Sequence, residues 1–187
     1  MYIEQIKNYN PKTENEKVEQ QVVLDFIKDN PNTVLTRDNK IAHLCVSGFI
    51  LNESMDKTLM IHHNIYQSWG WTGGHADGNT NLLEVALKEA KEETGVESFP
   101  LSTEIASLDI LPVPPHEKNG KVVNTHLHLT ATYLLVAKED ARLTVKPDEN
   151  SGVSWLAVEE LKNYCIEPIM LPIYEKLIAR ARGLKQK

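Results

Sequence analysis

The run from Ile41 to Leu51, Ile-Ala-His-Leu-Cys-Val-Ser-Gly-Phe-Ile-Leu, is nearly apolar throughout and is bounded by polar loops. Such a run reads as a β-strand covered on both faces, because a strand with one wet face would alternate. The chain must therefore build on both sides of it. No uncharged apolar run approaches the roughly 18 to 20 residues of a membrane span, and the first residues lack a basic stretch leading into an apolar one. The expectation is a protein that is neither secreted nor membrane-inserted.

Other segments supply strands and helices around this run. Thr13 with Glu16 forms a capping box, and Val18, Val22, Val23, Phe26 and Ile27 predict one apolar helix face that ends at Asp29-Asn30-Pro31. Residues 1–32 therefore read as an N-terminal helical extension, structural or dimer-forming, with a homodimer left open. Thr58–His62, Ile105–Val113, Asn124–Ala137 and Gly152–Leu156 read as further strands, His116–Lys121 as a polar loop, and about 157–164 and 168–183 as closing helices. With no repeat and no convincing linker, residues 33–187 make a single α/β domain.

Trp71 to Val96 carries the chemistry. A glycine loop, Trp-Thr-Gly-Gly-His-Ala-Asp-Gly, precedes a helix expected over residues 82–94. Asn81 is its N-cap, Glu84 is placed to reach back to the cap amide, and Gly95 supplies the left-handed stop. Leu83, Ala86, Leu87 and Ala90 form the apolar stripe, whereas Glu89, Glu92 and Glu93 gather on a neighbouring arc. Like charges at these spacings repel, so something positive should sit on that edge. Clustered carboxylate oxygens suit hard divalent cations, Mg²⁺ in particular.

This stretch resembles the Nudix box, a glycine-led loop and helix reading G, five residues, E, seven residues, R-E-U-x-E-E-x-G-U, with U a bulky aliphatic. Gly74, Glu89, Glu92, Glu93, Gly95 and Val96 fall in register, and Ala90 fills an aliphatic slot. Thr80 stands where the first glutamate would be and Lys88 where the arginine would be. In the family that pair forms a salt bridge that steadies the catalytic helix. Here Lys88 is expected to pair with Glu84, and Asp77 to take part of the missing acid's role. The resemblance implies an α/β/α sandwich with a mixed β-sheet, the box helix beside the sheet and the site at their junction. It further implies Mg²⁺ or Mn²⁺ held by Glu89, Glu92 and Glu93 and the Gly73 carbonyl. A further acid from outside the box often contributes in this family, and Glu149, in the loop before the last strand, is the candidate.

The reaction that these residues support is metal-assisted hydrolysis of a phosphoanhydride, with Glu89, Glu92 and Glu93 as catalytic residues and metal ligands. The resemblance implies a nucleoside diphosphate linked to another moiety as substrate. The alternative is a catalytically weakened module that binds a nucleotide for regulation, for which Thr80 and Lys88 argue and the three intact glutamates argue against. Trp71 beside the loop is placed to stack on a base or to pack the loop. His75 in the loop, and His126 and His128 on one strand face, are candidates for substrate binding, for a base or for metal ligation; the other reading is hydrogen-bonded imidazoles on a sheet. His62, His63 and His116 fit the latter better. A zinc site made of histidines is disfavoured because no tight pattern such as H-E-x-x-H occurs.

A net charge of −6 argues against nucleic acid as a partner, since phosphate binding there depends on Lys and Arg. A phosphorylated small molecule would be held mainly through metal. Cys45 and Cys165, far apart and outside any C-x-x-C, read as reduced core thiols of a cytoplasmic protein.

Overall fold

Two helices precede the sheet, α1 (Tyr2–Asn8) and α2 (Glu14–Asp29). The strands are β1 (Ala42–Leu51), β2 (Lys57–His63), β3 (Ser68–Gly70), β4 (Thr72–His75), β5 (Ser98–Pro100), β6 (Ser107–Val113), β7 (His116–Lys118), β8 (Lys121–Val123), β9 (His126–Ala137) and β10 (Asn150–Ala157). Helix α3 (Leu82–Thr94) lies between β4 and β5, and a short 3₁₀ turn (Val158–Asn163) and α4 (Met170–Lys185) follow β10. The structure is a computed structural model describing residues 2–118 and 120–185, so Met1, Asn119, Gln186 and Lys187 in the ranges above lie outside the described residues.

Eight strands form one mixed sheet. Its order is β10-β2-β1-β9-β5, with β3 on β2, β4 on β1 and β6 on β9. Among the described residues only β1 and β9 run parallel, in a register from Ala42 opposite Leu127 to Leu51 opposite Val136. Every residue of β1 is buried, as the apolar run requires. Leu44, Val46 and Ile50 point into a core shared with α1, α2 and α3, while Phe49 and Leu51 point into a second core closed by Tyr174 and Leu177 of α4. The result is the expected sandwich of a mixed sheet between helices.

Several elements differ from the expectation. In α2 the capping box forms, but Val18 and Val22 are 61% and 48% exposed. The inward stripe is instead Glu16, Gln20, Val23 and Ile27. Glu16 turns inward to meet Arg180, and the Gln20 amide donates to the carbonyls of Ile6 and Tyr9 at 2.8 and 3.1 Å. The predicted loop at 116–121 is the β7–β8 hairpin, whose few residues carry no periodicity to read. The last helix starts at Met170, two residues past Pro168, and the segment before it winds only as a 3₁₀ turn.

Helix α3 has the expected bounds. Asn81 Oδ1 accepts from the Glu84 amide, and Gly95 closes the helix at φ 76°, where its amide donates to the Lys91 carbonyl. The reciprocal half of the box is absent: the Asn81 amide donates to Asn79 Oδ1 at 2.8 Å, a nearer partner than Glu84. Among the described residues no helix is long and apolar enough to cross a membrane.

Candidate active site

Strand β4 delivers the glycine loop against α3. The amide of Gly73 donates to Glu93 Oε2 at 2.8 Å, so the loop holds the helix through the carboxylate expected to bind metal. Glu93 is only 2% exposed. Burial, with Glu149 and Glu89 as nearby negative charges, pushes its carboxyl up to about 8 despite that hydrogen bond. Glu89 is also raised, chiefly by burial. Gly74 lies against it: a Cβ there would sit 2.6 Å from the Glu89 carboxyl carbon.

Glu92 differs from its neighbours. Its side chain is 41% exposed and pairs with Lys88 at 3.0 Å and with Lys146 at 3.6 Å. The hydrogen bond from Lys88, above all, lowers its carboxyl below the usual range. The expected Lys88–Glu84 pair is therefore replaced. Lys88 reaches toward the helix C-terminus, where Glu89 and Glu92 together offer the greater negative charge. Asp77 does form a bridge to an arginine, but to Arg37, well outside the box, at 2.5 and 3.0 Å. That pair holds the turn at Asp77 and Gly78, both in the left-handed region.

Glu149 comes to the same place from the loop before β10. Lys146 bridges it to Glu92, with Nζ 2.9 Å from Glu149 Oε2. The Asn150 side-chain Nδ2 donates to the Glu93 carbonyl and fastens that loop to the end of α3. The donor set is thus four carboxylates, with Lys88 between Glu89 and Glu92 and Lys146 between Glu92 and Glu149, and the most buried one, Glu93, kept from ionising by its surroundings. Hard oxygen donors gathered about a positive charge fit Mg²⁺ or Mn²⁺. Gly73 contributes its amide; a role for its carbonyl rests on the resemblance alone.

These groups open into a cavity of about 650 Å³, within the range of small-molecule sites. Glu89, Glu93 and Glu149 line one part of it, and Trp71 stands at its wall, its ring edge-on to Tyr174 with centroids 5.5 Å apart. The Trp71 amide also donates to the Tyr174 hydroxyl at 3.4 Å, so the tryptophan is positioned by α4.

Another part of the cavity is lined by imidazoles. His126 and His128 point the same way, as strand alternation requires, and His75 joins them from β4. His43 completes the group. It lies opposite His128 in the β1–β9 register, and its ring is 4.9 to 5.2 Å from the other three. Burial lowers the His43 imidazole and takes His128 down to about 2, so both are neutral at pH 7. The sequence reading passed over His43 because it sits in a run that reads as core. Only the strand register brings it to the site. Arg37 and Tyr174 were missed because their partners Asp77 and Trp71 are distant in sequence, as was Lys146 in its contact with Glu92.

Gly74→Ala gives a direct check on the glutamate arrangement. The added methyl meets the far end of a flexible side chain, so the melting temperature should change little. Glu89 must move by about an ångström, and turnover of a hydrolysed substrate should fall by about 10- to 100-fold. Loss of stability in step with activity would count against a positioned Glu89.

A model of the NUDIX domain matches residues 42–177. The m7GpppN-mRNA hydrolase NUDT17 of Xenopus laevis is 31% identical over 120 residues, 61% of this chain and 38% of that protein. The asymmetrical bis(5'-nucleosyl)-tetraphosphatase of Mus musculus is 28% identical over 113 residues, 60% of this chain and 65% of that one. The chain thus spans less than two thirds of either relative's length. Among solved structures, a NUDIX-family hydrolase from Clostridium perfringens superposes with a TM-score of 0.52 at 24% identity, covering 74% of this chain and 97% of that one. The MutT protein from Methanosarcina mazei Go1 gives a TM-score of 0.50 at 20% identity, covering 80% and 99%. At these identities the two structures speak for the fold.

Proposed function

The chain belongs to the NUDIX domain family, and from that premise we propose that it is a metal-dependent pyrophosphohydrolase. It would cleave a phosphoanhydride bond in a nucleoside diphosphate linked to another moiety. The observation that carries this reading is the buried Glu93 carboxylate, held by the Gly73 amide and bordered by Glu89 and Glu149 at the wall of the cavity. Burial keeps this carboxyl protonated in the absence of an ion, and a bound cation would supply the counter-charge that lets it ionise there.

Glu89, Glu92, Glu93 and Glu149, with the Gly73 carbonyl, would hold Mg²⁺ or Mn²⁺. The ion would supply charge neutralisation on the phosphate oxygens. Among the glutamates, Glu93 is occupied by the Gly73 amide and Glu92 is lowered by its lysines. Glu89, facing the cavity with a raised carboxyl, is the group we assign to accept the proton of the attacking water at its carboxylate oxygen. Trp71 would stack on a base, and the imidazoles of His75, His126 and His128 would border the rest of the ligand.

Both curated relatives are named for substrates in which a phosphate chain joins two nucleosides, so dinucleoside polyphosphates head the panel to be tested. ADP-ribose, nucleotide sugars and oxidised nucleoside triphosphates complete it. Hydrolysis coupled to phosphate detection, with Mg²⁺ or Mn²⁺ and with chelator, is expected to show turnover of at least one class that chelation removes. A second reading, a nucleotide-binding module with weakened turnover, draws on Lys88 and Lys146, which already neutralise Glu92 and Glu149. Nucleotide binding without turnover across the panel would select it.

A further inference from the structure

We infer that His43, His75, His126 and His128 form an all-imidazole site for a borderline divalent transition ion, Zn²⁺ above all, separate from the oxygen site of the glutamates. The four side chains come from three strands, β1, β4 and β9, and one ligand nitrogen from each lies within 4.8 Å of the others. His126 Nε2 and His128 Nε2 are 3.1 Å apart. Two nitrogens bound tetrahedrally at 2.0 to 2.1 Å from zinc would stand about 3.3 Å apart, so this pair needs almost no movement.

The outer hydrogen bonds are those of metal-binding histidines. His43 Nδ1 is 3.0 Å from the Asn39 carbonyl, and His126 Nδ1 is 2.8 Å from the Asn124 carbonyl. A carbonyl only accepts, so each Nδ1 carries the proton and each Nε2 presents a lone pair to the cluster. His43 Nε2 is buried with no hydrogen-bond partner, in a residue 5% exposed. An orphaned acceptor there costs free energy that a metal bond would remove. Without an ion, His128 donates its Nε2 proton to His126; with one, His128 would hold its proton on Nδ1 instead, leaving both Nε2 lone pairs for the metal.

The donor chemistry separates the two sites. Four neutral nitrogens and no carboxylate suit Zn²⁺, Co²⁺, Ni²⁺ or Cu²⁺, whereas Mg²⁺ and Mn²⁺ take oxygen. Among the described residues this is the one group of three or more His, Cys, Asp or Glu whose ligand atoms converge in this way. An ion there would pin β4 to β1 and β9 at His75, where the glycine loop leaves the sheet. The inference does not depend on the reaction assigned to the glutamates.

The test uses the full chain without a histidine tag, stripped with chelator and titrated with Co²⁺ and then Zn²⁺ while the visible spectrum is recorded. One equivalent of Co²⁺ with strong tetrahedral bands is expected, displaced by Zn²⁺ and retained in Glu93→Gln. Weakly absorbing further equivalents would belong to the oxygen site. In the His126→Asn/His128→Asn double variant, and in His75→Asn should the double variant misfold, Zn²⁺ affinity should fall by more than about 100-fold. Loss of an outer partner alone costs up to about that much. Folded wild-type chain without a tetrahedral Co²⁺ signature would overturn the inference. So would an equivalent that Glu93→Gln removes and the histidine variants keep.

Discussion

Glu93→Gln is expected to lower kcat on any substrate the chain hydrolyses by about 10³-fold, with the fold intact. Glutamine keeps an oxygen for the Gly73 amide but cannot carry the charge that the buried position reserves for a cation. The same variant has a pH signature that needs no substrate. Burial holds the Glu93 carboxyl at about 8 in the folded chain, against 4.5 for the ordinary group. In the unfolded chain the proton leaves above about pH 4.5, while the folded chain keeps it until about pH 8. The folded state therefore binds the extra proton between those values. This residue's contribution to stability is full below the lower value and is lost as pH rises through the upper one. In metal-free protein the melting temperature of Glu93→Gln relative to wild type should be near zero at about pH 5 and clearly positive above about pH 8. A difference independent of pH would mean that the carboxyl is not held in this way, and Mg²⁺ should erase the gap if it binds there.

Arg180→Ala is expected to be the most destabilising single change away from the site. Arg180 of α4 meets both oxygens of Glu16 at 2.8 Å, donates to the Tyr9 hydroxyl at 2.9 Å and also donates to the Ala106 carbonyl. Lys176 joins Glu16 at 3.4 Å and Asp109 at 2.7 Å, and Ser107 donates to Asp109. Burial opposes the charge on Glu16, yet the Lys12 amide and the Arg180 and Lys176 charges outweigh it and hold the carboxyl below its usual range. Removing the arginine leaves a nearly buried carboxylate with the Lys12 and Thr13 amides and only the longer Lys176 contact at 3.4 Å for a counter-charge. Breaking such a pair costs about 3–5 kcal/mol, or roughly 10 °C in melting temperature for a chain of this size. The double variant Glu16→Gln/Arg180→Met should recover most of that loss, because no unpaired charge remains. A double variant as unstable as Arg180→Ala would assign the loss to packing.

What could be read from the sequence follows from how local each signal is. The bounds of α3 were legible because Asn81 and Gly95 cap it through contacts within one turn. Burial of β1 was legible because both faces are apolar. The stripe of α2 was misread because a buried Glu16 looks like a surface residue until Arg180 arrives from the far end of the chain. The partner of Lys88 was misread because sequence spacing allows a lysine to reach back or forward, and only the assembled charges choose. Of the candidate site, the glutamates were visible as a helical arc. The imidazole group was visible only in part: His126 and His128 alternate on one strand, but no spacing rule links His43 to His128 across a parallel ladder. A pattern such as H-E-x-x-H is local, whereas strand pairing can gather histidines with no spacing signature.

The parallel register of β1 with β9 also governs the order of events as the chain is made. Ala42 finds its partner only at Leu127, so the central strand emerges with two bare apolar faces while most of its neighbours are still to be synthesised. Closing so long a loop is costly and slow, and nothing local rewards it in advance. The growing chain is therefore at its most adhesive in mid-synthesis. His126 and His128 meet His43 and His75 only when β9 docks, and Glu149 reaches the other glutamates only with β10.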